Sequence, residues 1–404
     1  MHRVDGPGHD NNQFTEGDPG QGIEPTTVTA DIANALQEEI AQTIEATGLG
    51  LEKADNTQLW KAIRKAVELP EPLLDLPLQN DLVPRRGAGV LSYGRGGTGT
   101  IVDRYGKVIT AAIDEPRFSE KGLLIEGQAE NLLVKSEKLE NAIWIKTNVS
   151  VTADATTAPD GTLTADKIVE NTADSYHYGY KSISVTSGKQ YKLSAFIKKG
   201  SGTRNAVLEY YSSGGLFPQA GLIVDPADGS VVFADPDLDD YDVMPAADGF
   251  WHVFAIATAT GTGSANVSPF GMVNGTSQSY LGDGSSSIYF WGVDCKEHGI
   301  MDSYIPTDAA TATRLADSLS IPAHGNIPLA EDDWAMVATY YLLGAKASGA
   351  QDVIRIVGET TRGIRASYNG SRQLIGFAGD TFIYGTIIPA RTHVRAGLRC
   401  LDGV

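Results

Sequence analysis

Between residues 118 and 321 the chain repeats one pattern: short runs of alternating apolar and polar residues, cut by Gly, Asp, Asn and Pro. TNVSVTA (147–153), KSISVTSG (181–188), QYKLSAFIKKG (190–200), NAVLEYYSS (205–213), GLIVDPADGSVVF (221–233), FWHVFAIATAT (250–260) and SSIYFWGVDCKE (286–297) all follow it. Alternation with period two suits a strand with one buried face and cannot form a helical stripe. Turn signals at this spacing indicate an antiparallel sandwich or jelly roll. Within 192–198, Leu193, Ala195 and Ile197 are expected to face the core. In 251–257, Trp251, Val253, Ala255 and Ala257 share one face and His252, Phe254 and Ile256 the other. Two apolar faces imply a strand covered on both sides. The 45 glycines supply many turns.

The first residues read differently. A loose Gly/Asp/Asn-rich arm leads into two short amphipathic helices, expected at Thr29–Gly48 and Asp55–Val67. Thr29 caps the first, Asp31 suits its positive end, and Gly48 takes the left-handed position that closes it. Ile32, Leu36, Ile40 and Ile44 form one stripe. Asp55 or Asn56 caps the second helix, with Leu59, Trp60, Ile63 and Val67 as its buried side. Neither buries much alone, so they must pack on each other, on symmetry mates or on a larger body. Pro70, Pro72, Pro77 and Pro84 then mark a linker.

The run from Phe14 to Ile63 resembles the N-terminal virion-anchoring segment of tailed-bacteriophage tail fibre proteins. Asn34, Gln37, Glu38, Glu39 and Ile40 match one family word, and Ala54, Asp55, Asn56, Thr57, Gln58 and Leu59 another. Ala33 departs where the family often has an aromatic. Residues 117–321 are similar to the carbohydrate-binding-module-like jelly rolls of phage fibres and spikes. GLLIEGQAENLL (122–133), the strand near Trp144, APDGTLTADK (158–167), Phe290-Trp-Gly-Val and Ser303-Tyr-Ile-Pro-Thr carry that likeness. Such modules bind varied glycans or only build a shaft. Gln128-Ala-Glu-Asn departs from the family's usual Gln-Arg-Thr-Asn. Residues 322–404 look like the opening of a concanavalin-like lectin sandwich and are too few to close one, which suggests truncation; a small complete β-domain is the alternative.

The expected fold is therefore mainly β. A helical-hairpin anchor spans 1–78, an extended β linker 79–117, a jelly roll 118–321, and an incomplete lectin-like sandwich 322–404. At 404 residues, several domains are expected. The net charge of −18 argues against general binding to nucleic acid or anionic membrane, which needs basic patches. The two cysteines, Cys295 and Cys400, form no disulfide framework. No secretory signal follows Met1, and the longest apolar run, Ala335–Ala345, is too short to cross a bilayer. A cytoplasmically made virion protein fits these features.

The sequence offers few catalytic signatures, and its abundant paired carboxylates mean nothing by proximity alone. None of the seven histidines lies in HExxH or at metal spacing with cysteine, and there is no G-x-S-x-G elbow. Gly94, Gly96 and Gly99 spell G-x-G-x-x-G, but a strand rather than a helix is expected to follow, so the glycines serve turns. Asp235–Asp242 is the densest acidic run. It lacks the central Gly and distal Glu of an EF-hand, and reads as a solvated loop, with structural calcium as the other reading. No further cofactor is implied. Tyr176, Tyr178 and Tyr180 share one strand face, with Tyr211 in or beside the Gly214–Gly215 turn. They are either core residues with hydroxyls at the rim or stacking surfaces for sugar rings.

The residues and resemblances together suggest a non-enzymatic tail fibre. It would hold phage tail or baseplate proteins through 1–78, bind a host cell-surface glycan, and form the homotrimer the resemblance implies. The alternative is a spike-type depolymerase, which lacks its long repetitive β-helix here. A free-standing bacterial carbohydrate-binding module leaves the helical head unexplained.

Overall fold

The computed structural model describes residues 14–22, 24–66, 73–211, 213–322, 326, 334–341, 350–356, 362–368, 373–378, 381–387 and 393–400. Val67, Pro70 and Pro72 lie outside them. The chain divides into two compact units, residues 1–73 and 74–404.

The first unit holds helices α1 (Ala30–Ala46) and α2 (Gln58–Ala66). Thr29 Oγ1 accepts the Ile32 N–H at 3.4 Å, and Gly48 closes α1 with φ of 75°. α2 starts later than expected. Asp55 Oδ1 accepts from the Thr57 N–H (2.9 Å) and hydroxyl (2.6 Å), which fixes the turn that delivers Gln58. The Lys61 ammonium beside Asp55 and these two hydrogen bonds lower its pKa to about 2.

Leu59, Trp60 and Ile63 do not form a buried side. They are 37, 59 and 51% exposed, and Leu36 of α1 is 48% exposed. Ala62 and Ile44 are buried instead, with Ile32 and Ile40 half-buried. Two short helices share one narrow seam, which a small Ala fits, and the bulky residues of α2 fall outside it.

The second unit is built on two antiparallel sheets. Its strands are β1 (Ile145–Thr147), β2 (Val149–Thr156), β3 (Ala165–Glu170), β4 (Asp174–Val185), β5 (Gln190–Lys199), β6 (Asn205–Tyr210) and β7 (Ala220–Val224). Then come β8 (Val231–Ala234), β9 (Asp240–Pro245), β10 (Trp251–Thr258), β11 (Gly263–Val273), β12 (Ser279–Leu281) and β13 (Ser287–Lys296). One sheet runs β8-β7-β6-β11-β4-β12, with β1 also paired to β4; the other runs β9-β10-β5-β13-β3-β2. The molecule is mainly β, as the alternation requires.

The inner faces interdigitate. Leu193, Ala195, Ile197, Val253, Ala255 and Ala257 meet Ala206, Leu208, Leu222, Val267 and Phe270 in one core. β5 and β10 are covered on their far side too, where Phe196 lies with Trp291, Phe250 and Tyr304 in a second cluster. At Gly179 an added Cβ would stand 2.1 Å from the Phe270 ring, so only glycine lets that ring reach Trp144 edge-on at 5.4 Å. Tyr210 and Phe217 also belong to the core.

The turn-rich segment after residue 79 folds back on the sandwich. Ser92–Gly94 pairs with Ser318–Ser320. Arg95 and Arg117, both buried, share the carboxylate of Asp317. Gly99 is followed by its own strand, Gly99–Val102, and no helix. In the C-terminal region Trp334–Tyr341 pairs with His393–Cys400, and Ala350–Ile356, Arg362–Tyr368, Gln373–Ala378 and Thr381–Ile387 form a four-stranded sheet. Among the described residues no helix is long and apolar enough to cross a membrane.

Candidate functional site

The outward face of the seven-stranded sheet can be read from its register. Val207 of β6 pairs with Gly271 of β11 and with Ile223 of β7. Gly271 pairs with Tyr178 of β4, and Ile223 with Phe233 of β8. One cross-strand row is therefore Phe233, Ile223, Val207, Gly271, Tyr178. The next row is Asp235, Gly221, Glu209, Ser268: Glu209 pairs with both Gly221 and Ser268, and the Asp235 N–H donates to the Gly221 carbonyl. Small residues on β11 thus let the larger side chains of β4 and β6 close over it. A Cβ on Gly271 would meet Val207 Cγ1 at 2.9 Å and Tyr178 Cβ at 3.1 Å, so this close approach needs glycine.

Tyr176, Tyr178 and Tyr180 rise from β4 on this face, and Tyr211 rises on the far side of β11, just beyond β6. The structure brings all four together. Ring centroids are 6.3 Å apart for Tyr176–Tyr178, 5.8 Å for Tyr178–Tyr180, 5.2 Å for Tyr178–Tyr211 and 6.4 Å for Tyr180–Tyr211. Tyr176 is 42% exposed, and the others are half-buried. They are not part of the inner core; their rings support one another and keep outer surface free. Burial raises the pKa of Tyr211.

Beside the tyrosines lies a cleft of 430 Å³ lined by Glu209, Gln219, Gly221, Ile223, Phe233, Asp235, Thr276 and Gln278. Glu209 is 3% exposed. Its Oε1 accepts from Gln278 Nε2 at 3.1 Å and Gln219 Nε2 at 3.4 Å. Burial raises its pKa, which the Tyr211 hydroxyl first and then the Gln278 and Gln219 amides only partly offset. An apolar patch of Ile223 and Phe233 beside a few fixed polar groups suits a polyhydroxylated ligand, whose ring faces are apolar and whose edges hydrogen-bond.

Sequence reasoning missed Glu209, Gln219 and Gln278. The signal for Glu209 was present: Val207, Glu209 and Tyr211 alternate, so any face holding Tyr211 must hold Glu209. The amides come from the residues just before β7 and β12 and carried no local signal.

The acidic run is only in part a loop: Asp240–Asp242 open β9 and pair with β10, and the rest is tied to neighbouring groups. Asp235 Oδ1 accepts from the Asp237 N–H, and Asp239 Oδ2 from Thr258 Oγ1 and Gln190 Nε2. Among the described residues no three His, Cys, Asp or Glu side chains converge at metal-binding distance.

No family model matches the chain. The uncharacterized protein StfP of Escherichia coli (strain K12) is 38% identical over 71 residues, which are 16% of this chain and 34% of that protein. The chain thus spans about a third of that relative's length. Among solved structures, the enzymatically active domain of Bacteriophage CBA120 tailspike protein 4 is 16% identical, with 41% of this chain and 21% of that one covered and a TM-score of 0.25. The CBM22-1-GH10 modules of Clostridium thermocellum endo-1,4-beta-D-xylanase 10B, in complex with xylohexaose, are 15% identical over 45% of this chain and 30% of theirs, TM-score 0.25. The mannan-recognising carbohydrate-binding module TmCBM27 is 8% identical over 44% of this chain and 98% of its own, TM-score 0.22. The strand order and register above, not these slight likenesses, carry the fold.

Proposed function

We propose that the chain is a tail fibre protein of a tailed bacteriophage. Residues 1–78 attach it to tail or baseplate proteins, and the outward face of the seven-stranded sheet binds a host cell-surface glycan. The glycan part rests on one observation: four mutually supporting tyrosine rings stand beside a cleft with buried hydrogen-bonding groups. Sugar rings stack on such surfaces while their hydroxyls meet the carboxylate and amides. The anchoring part is supported by the family words between Phe14 and Ile63, and by the exposed Leu36, Leu59, Trp60 and Ile63. In a homotrimer these side chains, with Ile32, Ile40 and Ile44, would line the contact between copies. The protein then resides in the virion tail.

Adhesion of the labelled full chain to host cells tests the reading. Tyr178→Ala removes the central ring and is expected to weaken adhesion about tenfold, as loss of one stacking contact does. Unchanged adhesion by Tyr178→Ala and by Tyr211→Ala would refute the site.

A further inference from the structure

Buried carboxylates in this sandwich have a common fate, and Glu209 departs from it. Glu170 meets Arg204 at 2.9 Å, Asp294 meets Lys296 at 2.8 Å, Asp302 meets Lys296 at 3.0 Å, and Glu126 meets Arg117 at 2.7 Å. Asp166, without a cation, is held at both oxygens by the N–H groups of Leu139 and Asp154. Glu209 has neither arrangement. Among the described residues no Lys or Arg pairs with it; both of its amide partners donate to the same oxygen, and the Tyr211 hydroxyl is a further neighbour that carries no charge. A carboxylate removed from water without a counter-charge is costly, and any cation supplied from outside would relieve that cost.

The surroundings specify where such a cation would sit. Asp235 lines the same cleft two strands away, in the same cross-strand row. Adjacent strands lie about 4.8 Å apart, so the two backbones are separated by roughly 10 Å. Gly221 stands between them with no side chain, and a Cβ there would find nothing closer than 3.6 Å. The gap over Gly221 is therefore open and bordered by a carboxylate on each side. None of the residues lining the cleft is Lys, Arg or His. An acidic polysaccharide would face like charge at every approach to Glu209, whereas an ammonium would meet two opposite charges.

We infer that the cleft selects a glycan bearing free amino groups, an unacetylated hexosamine whose ammonium lies over Gly221 between Glu209 and Asp235. The adjoining sugar ring lies against Phe233 and Ile223, and the chain continues toward Tyr211 and Tyr178. Gln219 and Gln278 orient Glu209 and can receive ring hydroxyls. This rests on the glycan-binding reading and adds the chemical class of sugar.

Titration calorimetry on the full chain tests it with three hexasaccharide probes: fully deacetylated chitosan, chitin, and hyaluronan. Chitosan and chitin share a backbone and differ in the amine, while hyaluronan carries carboxylates. Chitosan is expected to bind at least about tenfold more tightly than chitin, the size of one charge-assisted hydrogen bond, and hyaluronan not measurably. Glu209→Gln keeps the shape and both neighbouring amides, and should bring chitosan down to the affinity of chitin. Asp235→Asn should do so in part, and Tyr178→Ala should weaken both probes alike. Chitin binding as tightly as chitosan, or hyaluronan binding at all in this cleft, would overturn the amine inference and leave the glycan-binding reading standing. Failure of chitosan and chitin, together with normal cell adhesion that Tyr178→Ala abolishes, would also overturn only the amine inference. Adhesion insensitive to Tyr178→Ala would remove the glycan reading itself.

Discussion

His252 makes the stability of the sandwich depend on pH, and the size of the effect follows from its surroundings. It lies on β10, 4% exposed, with its ring stacked on Phe196 at 4.3 Å and 9°. Burial is the main cause of a pKa lowered to about 3, and the charges of Lys192 and Lys296 push it further in that direction, against an opposing pull from Asp302. The imidazole is therefore neutral in the folded chain. In the unfolded chain it takes up a proton below its ordinary 6.5. The unfolded state binds more protons between those limits, so folding stability falls as pH falls through 6.5 and goes on falling toward 3. At about 1.36 kcal/mol per pH unit the complete effect is about 5 kcal/mol, of which about 3 kcal/mol develops between pH 7 and pH 4. His252→Gln removes the titration. Urea unfolding of both proteins at pH 7, 6, 5 and 4 measures it, because other titrating groups cancel in the difference. The variant is expected to lose stack and packing at pH 7 and to gain about 3 kcal/mol on the parent by pH 4. A difference that stays flat across that range would refute the assignment of a buried neutral histidine.

Two further outcomes follow from the packing. Gly179→Ala places a methyl group 2.1 Å from the Phe270 ring and is expected to cost about 1–3 kcal/mol or more in urea unfolding; a cost below about 0.5 kcal/mol would show that Phe270 does not hold this position. The full chain is expected to scatter light as a trimer at micromolar concentration, and Trp60→Glu, which charges an exposed apolar face of α2, to shift it toward monomer; a parent that is already a monodisperse monomer would contradict the trimer.

The sandwich was legible because period-two alternation is a local property. β2, β4 to β8, β10 and β13 needed only their own residues to read as strands, whereas β9, β11 and β12 carry no such alternation and come from the fold alone; β10 also declared two apolar sides that Phe254 and Ala255 both fill. The tyrosine set was half-legible for the same reason. Tyr176, Tyr178 and Tyr180 share a face by spacing alone. That Tyr211 stands 5.2 Å from Tyr178 depends on β4 and β6 flanking β11, which no window of sequence contains. The Arg95–Asp317 contact spans 222 residues and was illegible in principle. The helices show the opposite limit. Their pattern identifies an apolar face but not what covers it: Leu59, Trp60 and Ile63 share a face by spacing, and the two short helices by themselves leave that face exposed.

The most direct test of the glycan face is a crystal structure of the chain soaked with a bound oligosaccharide from the host surface. The account requires a sugar ring against Tyr178 and Tyr211, with its polar edge toward Glu209 and Gln278. A saccharide seated on the six-stranded sheet, or on the C-terminal strands, with this face empty would contradict it.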